Sequence, residues 1–201
     1  GIAGFVGGRV DAAIMRVVDV LYGLPYILLV VLISVAADGV IGRLGLDPSS
    51  SARQLVNVAT LLVAIGGVGW LTTARVIRGQ VLSLRSQPFM EACRAQGMGP
   101  ARQFLRHLLP NLVGPIIVYG TLAVPAAILS ESFLSFLGIG VEEPLPSWGN
   151  LASEGLSELN TVRSRWWLLA WPCAFIAITL VSLNLLGDRL KARFDPVHGS
   201  P

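Results

Sequence analysis

Charge is scarce in this 201-residue chain. Asp, Glu, Lys and Arg make up 13% of it, about half of the ~25% that a soluble domain carries. With 53% hydrophobic residues and a mean hydropathy of +0.68, too little polar surface is left to keep a water-exposed fold dispersed. The composition points to a membrane protein and argues against a disordered chain, a disulfide scaffold or a coiled coil. Cysteine is nearly missing: Cys93 and Cys173 form no CxxC and no Cys/His cluster, which excludes a disulfide framework and a zinc site. Lysine occurs once, as Lys191 after Leu190, so the Gly-Lys-Ser/Thr of a phosphate-binding loop is absent and the chain does not bind ATP in that way. HExxH and GxSxG are missing too, and with them the common protease and hydrolase signatures. No metal site, cofactor or catalytic residue is expected.

What is present is a set of long apolar runs. Charge-free stretches cover Val20 to Ala37 (18 residues), Gln54 to Ala74 (21), Leu108 to Ser130 (23) and Trp166 to Gly187 (22). A bilayer core of about 30 Å needs roughly 20 helical residues, so all four qualify, the first only if it starts a few residues earlier. Inside hydrocarbon every backbone N–H must be paired within its own segment, which makes helix the default. The runs do not alternate as barrel strands would. The expected fold class is therefore all-α, a multi-span transmembrane helical bundle with about four complete spans. The length allows one domain. The chain starts with Gly1, no charged n-region precedes an apolar stretch, and GIAGFVGG reads as the end of an apolar helix. A fragment lacking its natural N-terminus is the expectation, and a signal peptide is not.

Arginine and lysine orient the spans. Residues 1–19, 75–107 and 188–201 carry eleven basic residues, whereas residues 38–53 and 132–165 carry four, together with six acids: Asp38, Asp47, Glu142, Glu143, Glu154 and Glu158. The first set belongs in the cytoplasm. Trp148, Trp166, Trp167 and Trp171 fit an aromatic belt at the outer interface. Gly66, Gly67 and Gly69 would let helices approach closely, and Pro25, Pro125 and Pro172 would kink their spans.

The polar stretch that follows Arg78, GQVLSLRSQPFMEACRAQGMGPARQFLRHLLPN, is the most informative. Pro88 suits the first turn of a short helix, Glu91 sits where the helix dipole favours an acid, and Gly97 is a natural C-terminal stop. Gly99-Pro100 opens a second helix running to Pro110. Phe89, Ala92, Cys93 and Gln96 follow i, i+3, i+4, i+7 spacing and form one small or apolar stripe. Such a stripe either enters a groove on another protein or lies against the lipid-facing base of its own chain.

E-A-C-x-x-x-G, Glu91 to Gly97, followed by H-L-L-P-N, His107 to Asn111, resembles the EAA loop of bacterial ABC importer permeases, with Cys93 where Ala is expected. GFVGGRVD at 4–11, MRVVDVLYGLPYILL at 15–29 and ARVIRGQVLSL at 74–84 resemble the same domain. SESFLSFLGIGV at 130–141, PSWGNLASEG at 146–155 and NLLGDRLKARFDP at 184–196 resemble the dipeptide/oligopeptide/nickel family, and SFLGIG with PSWG favours its C-type subunit. The resemblance covers nearly the whole chain. One departure is the external stretch 38–53, which is longer than usual and whose role stays open.

The resemblance implies a six-span subunit of which residues 1–196 hold the last four spans, with 197–201 as a cytoplasmic tail. It implies ATP-driven import of peptides or related small solutes, such as nickel complexes, across the inner membrane. It also implies a heterodimer with a homologous permease subunit, two cytoplasmic ATPase subunits, an extracytoplasmic solute-binding protein and a lipid environment, with no nucleic acid. Glu91, Ala92, Cys93, Gly97, Gly99, His107, Pro110 and Asn111 would form the ATPase-coupling loop: Glu91 pairing with a basic group, Ala92 and Cys93 allowing close approach, Gly97 supplying the turn.

Outside the loop, Glu131 either faces the translocation path, as intramembrane acids often do, or sits hydrated at the interface. Asn184 offers interhelical hydrogen bonding or solute contact. The loop from Gly138 to Arg165 either carries a short helix that docks the binding protein or is simply solvated. Two other classes compete: a membrane-embedded enzyme, such as an intramembrane protease using a serine or Glu131, and a non-transporting assembly subunit. The first lacks a base paired with a nucleophile, and the second does not need such a loop.

Overall fold

The computed structural model describes residues 4–5, 7–43, 50–141, 144–159 and 164–194. Their helices are α1 (Gly8–Tyr22), α2 (Tyr26–Gly42), α3 (Ser51–Arg85), α4 (Pro88–Ala95), α5 (Pro100–Gln103), α6 (Leu109–Phe136), α7 (Trp148–Ser157) and α8 (Trp166–Phe194), with a π-helical turn, Phe104–Leu108, joining α5 to α6. Among the described residues no strand forms, only an isolated bridge between Leu159 and Ser164. Three stretches are long and apolar enough to cross a membrane, Ser51–Arg85, Pro100–Phe136 and Trp166–Arg193; α1 and α2 add a fourth if that broken pair counts as one span. The all-α bundle expected from the sequence is what forms.

Two boundaries differ from expectation. The run from Val20 to Ala37 is not one helix. Pro25 has no N–H to donate and drives Leu24 out of helical geometry. So α1 closes with the Gly23 N–H on the Asp19 carbonyl, 3.1 Å away, and α2 restarts from extended Pro25 at φ −57°, ψ 120°. It gains its length at the other end, running past Asp38 to Gly42. Pro110, in contrast, does not stop its helix. The Leu109 N–H reaches back five residues to the Phe104 carbonyl, and this wider turn makes room for a proline ring that would clash with an α-helical carbonyl. α6 then carries Pro115 and Pro125 without interruption, and α8 likewise carries Pro172.

Packing divides the chain into two compact units. The first comprises Gly1–Gly23, Trp70–Leu122 and Leu185–Pro201, the second Leu24–Gly69 and Ala123–Asn184. α3, α6 and α8 each run from one into the other. The first unit centres on Ile77, Val81, Leu108 and Leu112, with Phe5, Leu84 and Phe104 against them. Burying each such side chain contributes roughly 1.5–3 kcal/mol. The second unit buries Val30, Leu61, Ala64, Ile65, Leu134 and Ala152, and the Tyr26 hydroxyl donates to the Ile65 carbonyl at 3.3 Å.

Among the described residues, nothing approaches Gly66, Gly67 or Gly69 closely: a Cβ on any of the three would meet no atom within 4 Å. They lie on surface that the described residues leave open. α8 also packs little on its own chain, and Trp171, Phe175, Ile178 and Leu185 are all exposed. Apolar surface on this scale is stable in a bilayer and not in water.

Candidate functional site

The polar loop belongs to the first unit. After α3 ends, the Ser86 hydroxyl donates to the Ser83 carbonyl at 2.8 Å and the Gln87 N–H to the Leu84 carbonyl at 3.2 Å. Pro88 then opens α4 with Glu91 in its first turn, as the sequence suggested. The helix seats on Met90, which is fully buried, and Cys93. Glu91, Ala92 and Gln96 are exposed, and Phe89 is half-buried. The expected stripe is therefore split. Cys93 turns inward beside Met90, three residues away on the same face, and is not offered to a partner. Ala92 and Gln96 stay outside.

The far end of α4 closes with glycine. Gly97 takes φ +70°, its N–H bonds to the Arg94 carbonyl at 3.0 Å, and the Met98 N–H reaches the Cys93 carbonyl at 3.1 Å. This is the left-handed cap that glycine adopts at least cost. The Arg94 guanidinium donates to the Arg85 carbonyl at 3.0 Å and ties α4 to the last turn of α3. Extended Gly99 precedes Pro100 at the start of α5, and buried Gln103 donates to the Met98 carbonyl at 2.6 Å. His107 lies half-buried in the π turn; its carbonyl accepts from the Asn111 side-chain amide at 2.6 Å. Pro110 and Asn111 are exposed. The loop thus has a fixed base and an exposed face that carries Glu91, Ala92 and Gln96. Among the described residues no ion pair engages Glu91.

The two residues expected near a translocation path belong to the second unit. Asn184 is exposed, and its side chain makes no hydrogen bond among the described residues. Glu131 is engaged on both oxygens, accepting from the Ser135 hydroxyl at 2.7 Å and the Ser132 hydroxyl at 3.3 Å. The Ser135 oxygen in turn accepts the Val141 N–H at 2.9 Å, and the Asn150 amide donates to the Val141 carbonyl at 2.7 Å. The turn between passes through Gly138 at φ +76°.

Composition did not single out this second assembly. α7 buries Gly149, Ala152 and Gly155, three residues apart, so its backbone meets its neighbours directly. A Cβ on Gly149 would overlap the Ser132 carbonyl, one on Gly140 the Ser135 side chain, and one on Gly155 the Leu168–Leu169 backbone. That small-residue spacing was the available signal. The short helix expected between Gly138 and Arg165 is α7; Glu154 on it is exposed, and Glu158 pairs with Arg165 at 3.0 Å. Glu142, Glu143 and Arg163 lie outside the described residues, as do Asp47 and the 197–201 tail. At the ends of the long 38–53 stretch, Arg53 forms an ion pair with Asp38. Close by, Ser34, Asp38, Asn57 and Thr60 line a cavity of about 230 Å³. The Ser34 hydroxyl and the Asn57 side-chain amide oxygen are buried there without partners among the described residues, an environment polar and roomy enough for bound water.

Residues 1–197 match the family described as "binding-protein-dependent transport system inner membrane component". The chain belongs to that family. Among similar proteins is the dipeptide transport system permease protein DppC of Bacillus subtilis, 41% identical over 196 residues, which are 98% of this chain and 55% of that protein. Another is the oligopeptide transport system permease protein OppC of Escherichia coli, 40% identical over 190 residues, 94% of this chain and 56% of that one. OppC of Mycobacterium tuberculosis is 31% identical over 199 residues, 99% of this chain and 62% of that protein. The chain thus spans little more than half the length of the curated relatives it matches. The family and the C-type resemblance carried by SFLGIG and PSWG are borne out, and the apolar helices agree with an integral inner-membrane protein.

Proposed function

We propose that the chain belongs to the membrane-spanning region of a permease subunit in an ATP-driven importer of peptides, and that α4 is its docking helix for a separate ATPase. The observation that carries this reading is the split character of α4. Met90, Cys93, Gly97 and the Arg94–Arg85 bond fix its base, while Glu91, Ala92 and Gln96 face outward. The helix dipole accounts for an acid at Glu91, but not for leaving it, among the described residues, unpaired on an exposed face beside Ala92 and Ala95. A helix that enters a cleft needs small side chains for close approach and a charge for register. The role is transport and not catalysis. Residues 75–107 and the C-terminus face the cytoplasm, by the excess of arginine there. A homologous permease subunit, two ATPase subunits and an extracytoplasmic binding protein complete the assembly, as the family description and the names of the relatives suggest.

The test is co-purification of the full-length protein with its ATPases, comparing wild type with Glu91→Arg and Ala92→Trp. Both positions are exposed, so the fold should survive, and ATPase capture should fall sharply. Undiminished capture by both variants would overturn the docking role.

A further inference from the structure

Three arginines of α3 reach the N-terminal segment of the same unit. Arg75, Arg78 and Arg85 lie within about 80° of one another around the helix, at 100° per residue. Arg75 donates to Asp19 at 2.7 Å, and its guanidinium lies 3.8 Å over the Tyr22 ring. Arg78 grips Asp11 with a two-pronged contact, Nε to Oδ1 at 2.7 Å and Nη2 to Oδ2 at 2.6 Å. Arg85 donates to the Gly4 carbonyl at 3.3 Å. The order is antiparallel: 75, 78 and 85 meet 19, 11 and 4. One further contact comes from the same segment, Phe5 against the ring of Phe104, with centroids 5.3 Å apart. The N-terminal segment therefore touches the chain just before α4, at Arg85, and just after α5, at Phe104.

The rungs differ in strength. Asp19 is 58% exposed at its side chain, so water screens that pair and it contributes little. Asp11 is buried at 7% exposure and meets a planar fork, the stronger and more directional kind of pair. Removing either partner would leave the other poorly compensated.

We propose that Asp11 and Arg78 are positioning residues for energy coupling. They lock the first turn of α1 onto the C-terminal half of α3, so that α4, the end of α3 and α1 move as one body. Displacement of α4 then passes to α1, and by chain connection to α2, as well as along α3. This rests on the reading of α4 as the ATPase-docking helix. Neither residue lies on the exposed face of α4, so docking and transmission separate experimentally.

The experiment uses the full-length protein reconstituted in proteoliposomes with its permease partner, ATPases and binding protein, measuring ATP hydrolysis against uptake of a labelled dipeptide. Asp11→Arg and Arg78→Asp should each lower solute moved per ATP about fivefold or more, in the range of ordinary coupling energies, with ATPase capture intact. The double exchange should restore the ratio to within about twofold, because it rebuilds the pair. If the single variants do not assemble, Asp11→Asn and Arg78→Lys carry the test, since they remove the charge and the fork respectively with little change in size. Wild-type stoichiometry in assembled single or conservative variants would overturn the proposal, as would an assembled double exchange that stays uncoupled. Loss of the docking reading would show separately, as ATPase capture unaffected by changes at Glu91 and Ala92.

Discussion

Around α4 the first unit is held by long side chains that reach across gaps. Arg94 reaches the Arg85 carbonyl and Gln103 the Met98 carbonyl. Around α7 the second unit is held by side chains that are missing. Gly140, Gly149 and Gly155 bring backbone against backbone, and the short Ser135 and Asn150 side chains close what space remains. Long polar arms tolerate small displacements because a guanidinium can follow its acceptor. Direct backbone contact does not, since dense packing leaves no slack to move into. The comparison assigns small local adjustment to the joints on either side of α4 and tight registry to the contacts around α7.

The comparison can be broken most strongly at Met90. As the fully buried seat of α4, Met90→Ala should cost about 2–5 kcal/mol, read as a lowered unfolding temperature of the detergent-solubilised protein. A loss below this range would mean the arginine and glutamine arms hold α4 without its apolar seat. Next comes Gly149→Ala, whose Cβ falls on the Ser132 carbonyl; an overpacking cost of about 1–3 kcal/mol or more is expected. Gly66→Ala is the matched control. With open space around it, it should be neutral or stabilising by up to about 1 kcal/mol. Equal effects at the two glycines would remove the distinction between close-packed and open positions. Gly97→Ala should cost about 1–2 kcal/mol for the left-handed backbone alone, with nothing added for crowding. The smallest effect is expected from Glu131→Gln, which keeps an acceptor for Ser135. Stability should change by less than about 1 kcal/mol and dipeptide uptake should hold. Loss of uptake in a stable protein would return Glu131 to the translocation path.

Much of this was legible beforehand because it is local. Pro88, Glu91 and Gly97 announce a helix start, a dipole-matched acid and a left-handed stop through their own backbone preferences, and the charge-free runs announce spans by length. What was not legible depends on non-local geometry. Nothing in the local spacing says that Met90 outranks Phe89 in choosing the buried face, and so turns Cys93 inward. Pro110 reads as a stop because the turn that absorbs it is made by a bond between Leu109 and Phe104. Glycines in a span read as contacts, yet the contacts are at Gly149 and Gly155 while Gly66 and Gly67 are bare, since periodicity alone does not say which face meets a neighbour.

The π turn at Phe104–Leu108 has a consequence for how the chain tolerates length change. A π turn holds one residue more than the α-helical turn it replaces. Removing a single residue there would bring the ladder to ordinary α-helical spacing and keep every residue from Pro110 onward on its face, at the cost of the Pro110 ring meeting the carbonyl that the wider turn now clears. The same deletion one turn deeper in α6 would rotate the rest of the helix by about 100° and misplace Glu131, Ser132 and Ser135 together. The join between loop and span is thus the place where the chain can lose a residue without losing its register.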